Sequence, residues 1–220
     1  NDSDDMGPSW SRVGNRIVFE SNRDGNRQIY LMNADGTNQT NISNNPSTNT
    51  FSGDKDRDYT PPSLSPDGTT IVYQYKNHMH TNILQIYTSN PDGTDIRQMT
   101  GSGIEGWNGS PKWSPDGTKI AFTSNREGNF NIFIMNASGH NPINISHKDS
   151  NDCFSSWKKC VINNDSNDMG PSWSRDGTKI VFESDRDGNI EIYTMNPDGF
   201  NPTNISNNDS SDQSPSWYRR

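Results

Sequence analysis

One decapeptide recurs along this chain. "NDSDDMGPSW" opens it at Asn1–Trp10, "NDSNDMGPSW" returns at Asn164–Trp173, and "NDSSDQSPSW" comes near the end at Asn208–Trp217. A repeat at this scale constrains the fold more than any composition, because each copy must form the same small unit. Aligned on "PSW", the 220 residues fall into four units at about 8–45, 62–100, 111–146 and 171–206. Their anchors are Trp10, Leu64, Trp113 and Trp173, and Trp217 makes a fifth. Residues 208–220 therefore repeat residues 1–13 as a surplus segment.

Each unit reads as four short strands. The first ends at the anchor. A turn of the "SPDG" kind follows, as in Ser114–Gly117, where proline presets φ and glycine takes a positive φ. The second strand alternates apolar with other residues: Ile17 and Phe19, Ile71 and Tyr73, Ile120 and Phe122, Ile180 and Phe182. A period of two is a strand. A second turn, "NRDGN" at Asn22–Asn26, leads to the third strand, and an "ADGT" or "PDGT" turn leads to the fourth. Four antiparallel strands per unit, repeated, make a propeller blade. The expected fold is all-β, a propeller of four four-stranded antiparallel blades. It is either a closed four-bladed ring, the favoured alternative, or an arc of a larger one.

Only 27% of the residues are hydrophobic, which in other chains signals disorder. The aromatic residues recur in register here, so the expectation is a folded chain with a thin, repeated core. A net charge of −8 argues against nucleic acid as partner, since phosphate binding needs a basic face. No apolar run approaches the roughly 20 residues of a membrane span. The chain opens without an initiating Met or signal peptide, as a processed or trimmed chain would.

Blades reading "PxWSPDGxxIaF", as in "PKWSPDGTKIAF" at Pro111–Phe122, resemble the TolB-like propeller repeat family. The resemblance covers nearly the whole chain. It implies the fold strongly and the function weakly, because such repeats serve periplasmic scaffolds, peptidase gating domains, sugar-acid lyases and surface proteins. The leading expectation is a non-catalytic secreted or cell-surface propeller, a structural or protein-interaction module. Its special form assembles head to tail with copies of itself by strand addition. One alternative is a fragment of a TolB-like periplasmic envelope protein that binds a protein partner. Another is a metal-dependent glycan-binding or lyase domain. Four scattered histidines and no "G-x-S-x-G" give little support to an enzyme.

The sharper constellation is acidic. Six residues before each leading proline stand Asp2, Asp56, Glu105 and Asp165, with Asp209 in the surplus segment. Three residues before it stand Asp5, Tyr59, Asn108, Asp168 and Asp212. A ring of oxygen ligands near the axis suits Ca²⁺; the alternative is that each carboxylate caps its own loop. Cys153 and Cys160 bracket an eight-residue loop and suggest a disulfide in an extracellular chain. Asn41, Asn144 and Asn204 share one fourth-strand position inside Asn-x-Ser sequons, where glycans would fit. Arg23, Arg126 and Arg186 recur in the second turn and suggest salt bridges between blades. Trp107 and Trp157, outside the "PSW" frame, are candidates for glycan stacking.

Overall fold

The computed structural model describes residues 3–43, 60–76, 83–101, 106–146 and 166–217. It contains sixteen strands in four sheets and, among the described residues, no helix. Blade one is β1 (Asp5–Trp10), β2 (Arg16–Ser21), β3 (Gln28–Asn33) and β4 (Thr40–Asn41). Blade two is β5 (Ser63–Leu64), β6 (Ile71–Lys76), β7 (Leu84–Ser89) and β8 (Arg97–Gln98). Blade three is β9 (Asn108–Trp113), β10 (Lys119–Ser124), β11 (Asn131–Asn136) and β12 (Ile143–Asn144). Blade four is β13 (Asp168–Trp173), β14 (Ile180–Ser184), β15 (Glu191–Met195) and β16 (Thr203–Asn204). Every sheet is antiparallel and runs in sequence order.

The "SPDG"-type turns explain why the first two strands of a blade pair. Gly117 takes φ +72°, a left-handed value that costs a residue with a Cβ about 1–2 kcal/mol. Asp116 closes the turn by accepting from the Ser114 hydroxyl at 2.5 Å and the Thr118 amide at 3.0 Å. Gly117→Ala is expected to lower stability by about 1–2 kcal/mol, read by chemical denaturation. A neutral result would mean that the turn relaxes out of its left-handed conformation.

Packing between blades supplies the core. Val18, Ile29, Leu31 and Ile42 of blade one meet Leu64, Ile71, Tyr73 and Tyr87 of blade two. Val72 and Ile86 of blade two meet Ile120, Phe122, Phe133 and Met135 of blade three, with Trp113 alongside. Ala121, Ile132, Ile134 and Ile145 of blade three meet Trp173, Ile180, Phe182, Tyr193 and Met195 of blade four. Leu64, Trp113 and Trp173 thus pack between blades, as the spacing of the anchors suggests.

Among the described residues, none of these cores joins blade four to blade one. Ile17, Phe19, Tyr30 and Met32 of blade one cluster by themselves, and Trp10 is 51% exposed. The cores join blade one to two, two to three and three to four. Trp10 ends β1 in blade one. Residues 208–217 lie on the far face of blade four, where Trp217 Nε1 donates to Ser172 O at 3.1 Å.

Candidate functional site

Three constellations recur or stand out in this frame. The first lies at the second turn of the blades. Arg186 donates through Nε to Ser184 Oγ at 2.8 Å and through Nη2 to both Asp168 oxygens at 3.0 and 2.9 Å. Its guanidinium covers the rings of Phe182 and Tyr193. Arg23 does the same with Ser21, Asp5, Phe19 and Tyr30. Arg126 does so with Ser124, Asn108, Phe122 and Phe133. These pairs sit within one blade, which corrects the expectation of salt bridges between blades. Serine, carboxylate or amide, and two aromatic rings all come from the arginine's own sheet.

The acid that follows each of these arginines holds the outer strand. Asp24 accepts from the Tyr30 hydroxyl and from Asn41 Nδ2. Asp187 accepts from the Tyr193 hydroxyl and from Asn204 Nδ2, and Glu127 from Asn144 Nδ2. Those bonds, the tyrosine's first, hold Asp24 and Asp187 below the usual carboxylate range. Asn41, Asn144 and Asn204 therefore share a structural position as well as a sequon. A glycan on any of them would be attached to the nitrogen that ties the fourth strand to the turn.

The other sequence-stated sites divide. Asp2, Asp56, Glu105 and Asp165, the proposed calcium ligands, lie outside the described residues, as do Cys153, Cys160 and Trp157. Among the described residues no group of three His, Cys, Asp or Glu side chains is gathered for a metal. Of the inner set, Tyr59 also lies outside the described residues; Asp5, Asn108 and Asp168 serve the arginines, and Asp212 accepts from Asn208 Nδ2 at 2.6 Å. Trp107 packs edge-on against Phe130, with centroids 5.3 Å apart.

The second constellation is a latch between neighbouring blades. The amide just before the leading proline of blades three and four and of the surplus segment donates to the residue three after the isoleucine (Ile71, Ile120 or Ile180) of the preceding blade's second strand. Ser110 N reaches Gln74 Oε1 at 3.1 Å, Gly170 N reaches Thr123 Oγ1 at 3.1 Å, and Ser214 N reaches Glu183 Oε1 at 2.6 Å. Two more bonds accompany it. Asp168 N donates to Phe130 O and Trp173 Nε1 to Lys112 O; Asp212 N donates to Ile190 O and Trp217 Nε1 to Ser172 O. The surplus segment thus docks on blade four as β13 docks on blade three. Asn208 N adds a bond to Glu191 Oε1 at 3.0 Å. Burial pushes Glu183 up, and the Ser214 amide partly offsets that.

Blade one has the same latch position in Glu20, 8% exposed. The residue facing it in blade two's leading segment is Pro61, which has no N–H to give. Burial pushes the Glu20 carboxyl up to about 7, against a pull from Arg27. Pro61 contributes its carbonyl instead, which accepts from Lys112 Nζ of blade three at 2.9 Å. Burial brings that amine down to about 8.

The third constellation is a cleft of about 550 Å³ between blades two and three, at the "SPDG" end. Aligning the blades shows its origin. Blade two carries Thr88, Arg97 and Met99 where blade three carries Ile134, Ile143 and Ile145. The apolar seal made by Ile134 and Ile145 against Trp173 is therefore replaced by polar walls. Trp113, whose buried Nε1 has no hydrogen-bond partner among the described residues, and Ser89, which meets the Tyr73 hydroxyl, both line this cleft.

A TolB beta propeller domain model matches residues 62–160 of the chain. An uncharacterized protein of Agrobacterium fabrum is 28% identical over 136 residues, which is 62% of this chain and 39% of its own length. A TolB homolog of Chlorobium luteolum is 29% identical over 139 residues, 61% of this chain and 26% of its own. A solved TolB-type structure from Agrobacterium tumefaciens superposes with a TM-score of 0.68 at 23% identity, covering 90% of this chain and 63% of that one. The chain thus spans well under half the length of these curated relatives, and the solved structure bears on the fold alone. With its blade-like repeats and a matching domain model over residues 62–160, the chain is similar to the TolB-like β-propeller repeats.

Proposed function

We propose that the chain is part of a TolB-like cell-envelope protein and works there as a non-catalytic module that docks protein segments on its blade faces. The observation that carries this reading is the terminal segment. Residues 208–217 are in no sheet. They are held to blade four by a backbone bond, a carboxylate–amide bond and an indole bond. A blade face that seats one extended segment this way has the donors and acceptors to seat another. The periplasm or the cell surface suits a chain of this kind.

The test is a variant lacking residues 208–220, its folding checked by circular dichroism, with a labelled peptide of residues 208–217 added in trans. Saturable binding is expected. Glu183→Ala should weaken it about tenfold or more, because a hydrogen bond to a charged group is lost. Absence of binding to the folded variant would remove the reading. Recovery of the native protein from the cytosol rather than the envelope fraction would remove its location.

A second reading, head-to-tail self-assembly, is favoured by one observation. The inward face of blade one, Trp10, Ile17, Phe19, Tyr30 and Met32, matches blade four's Trp173, Ile180, Phe182, Tyr193 and Met195 residue for residue. The latter set packs on a neighbouring blade; the former has no such neighbour among the described residues. A heterologous contact of this kind propagates unless its rotation closes. Sedimentation at rising concentration should show association that Trp10→Ser abolishes; a persistent monomer excludes it. Calcium at Asp2, Asp56, Glu105 and Asp165 would raise the melting temperature, and chelator would reverse the gain. A Cys153–Cys160 disulfide would show as a mass gain on reduction.

A further inference from the structure

We propose that the outer face of blade four takes, in exchange for residues 208–217, an extended partner segment reading Gly-Pro-x-Trp. The inference rests on the docking of segments proposed above and names the partner's chemistry.

Three segments of the chain dock on a preceding blade in one way: Asn108–Trp113 on blade two, Asp168–Trp173 on blade three and Asp212–Trp217 on blade four. They read NGSPKW, DMGPSW and DQSPSW. The residue before the proline is the one that latches, and its backbone is left-handed each time. Its φ is +54° at Ser110, +64° at Gly170 and +58° at Ser214. In β9 and β13 that conformation belongs to a bulge, where the register against the second strand shifts. A bulge re-aims the chain locally, and here it turns the latch amide toward the preceding blade. The proline that follows has no N–H to leave unpaired where the ladder is interrupted. Blade two's own leading segment is the counterexample within the molecule. Its latch residue is Pro61, without an N–H, and Glu20 opposite it stays buried with its carboxyl raised to about 7.

The rest of the motif is read by the preceding blade's backbone. Trp173 and Trp217 give their indole N–H to the residue just before that blade's anchor, Lys112 O and Ser172 O. Phenylalanine has no donor for this bond. Trp113 does not make it, so the bond belongs to the seats on blades three and four. Two residues before the latch, the amides of Asp168 and Asp212 reach Phe130 O and Ile190 O. Blade four adds charge to the seat. Glu183 and Glu191 accept the amides of Ser214 and Asn208, where blade two carries Gln74 and Gln85 and blade three Thr123 and Asn131. Amide bonds to carboxylates are the stronger kind. The present occupant fills the seat imperfectly. Ser214 holds a left-handed φ that a Cβ resists and that glycine takes freely. Ile205, on the same blade, is 57% exposed, whereas its counterparts Ile42 and Ile145 are 0% and 2% exposed, so apolar surface remains for a longer partner to cover. A segment with glycine at the latch and the same proline and tryptophan makes the bonds of residues 212–217 without that strain, and competes for the seat.

The experiment uses the full chain. Hydrogen exchange of the Asp212 amide reports how often the segment leaves its seat. Ser214→Gly should slow that exchange about fivefold, Ser214→Val should speed it about tenfold or more, and Trp217→Phe should speed it about fivefold. In trans, acetyl-Asp-Met-Gly-Pro-Ser-Trp-amide should move the Trp217 indole ¹⁵N–H resonance saturably toward that of a free tryptophan side chain. The same peptide with valine for glycine, or phenylalanine for tryptophan, should need about five- to tenfold higher concentration. An unmoved Trp173 resonance shows that the blades stay folded. Exchange indifferent to the residue at 214 overturns the proposal, and so does equal displacement by the three peptides or none by the glycine peptide; each leaves the docking of residues 208–217 standing. An Asp212 amide that exchanges in the wild-type chain as freely as in an isolated peptide removes both.

Discussion

Glu20→Gln is expected to stabilise the chain by about 3 kcal/mol at pH 8 and to change little at pH 4. Glu20 is buried at the blade one–blade two interface, and the residue that should latch to it is Pro61. Burial raises its carboxyl from 4.5 to about 7. The sign follows from that direction. Below about pH 4.5 the folded and unfolded chains both hold the proton, and the group costs nothing. From 4.5 to 7 the unfolded chain releases its proton while the folded chain keeps it, so stability falls as pH rises. Above 7 the loss is complete, at roughly 1.4 kcal/mol per pH unit across the gap. Glutamine removes the titration, and Gln74 fills the same position in blade two with its oxygen on the Ser110 amide. Chemical denaturation at the two pH values checks it. If the variant is less stable at pH 8, the Arg27 attraction outweighs burial and the argument is wrong.

That position also shows where the sequence stops being legible. The blades, their strand order and the packing of the "PSW" anchors can be read from repetition, because a period of two and a glycine at each turn have local causes. The arginines were legible as a repeat. Their partners were not, because a residue recurring once per blade keeps the same spacing to its own sheet and to the next one. Asp5, Asn108 and Asp168 looked like an axial ring of oxygens for the same reason: symmetry alone cannot tell an axis from four separate turns. The cleft had a signal that went unused. Thr88 and Ser89 break apolar columns that the other blades largely keep, and a break in a repeat marks a place where packing gives way. The place of residues 208–217 could be seen only in three dimensions, since it depends on blade four offering an open face. The acidic positions Asp2, Asp56, Glu105 and Asp165 belong to the stretches the structure does not describe.

Arg186→Ala should cost about 3–5 kcal/mol, whereas Arg23→Ala should cost about 1 kcal/mol. The two arginines share their main contacts, and Arg23 also donates to Gln39 Oε1. Each bonds a serine hydroxyl and both oxygens of an aspartate, and each lies 4.5 Å from the centroid of a tyrosine. The difference is solvent. The Asp168 side chain is 0% exposed, whereas that of Asp5 is 51% exposed. Removing Arg186 leaves a carboxylate buried between blades three and four without its countercharge, the expensive way to break an ion pair. Removing Arg23 leaves a carboxylate that water can reach, where such pairs are worth little. The cation–π contribution is common to both and cancels in the comparison. Asp168→Asn in the Arg186→Ala background should recover much of the loss, because the uncompensated charge goes with it; blade three already pairs Arg126 with an amide, Asn108, at 2.7 Å. Urea denaturation of the two single variants and the double variant decides. Equal losses at Arg23 and Arg186 would mean that burial of the acid is not what sets the strength of these turns.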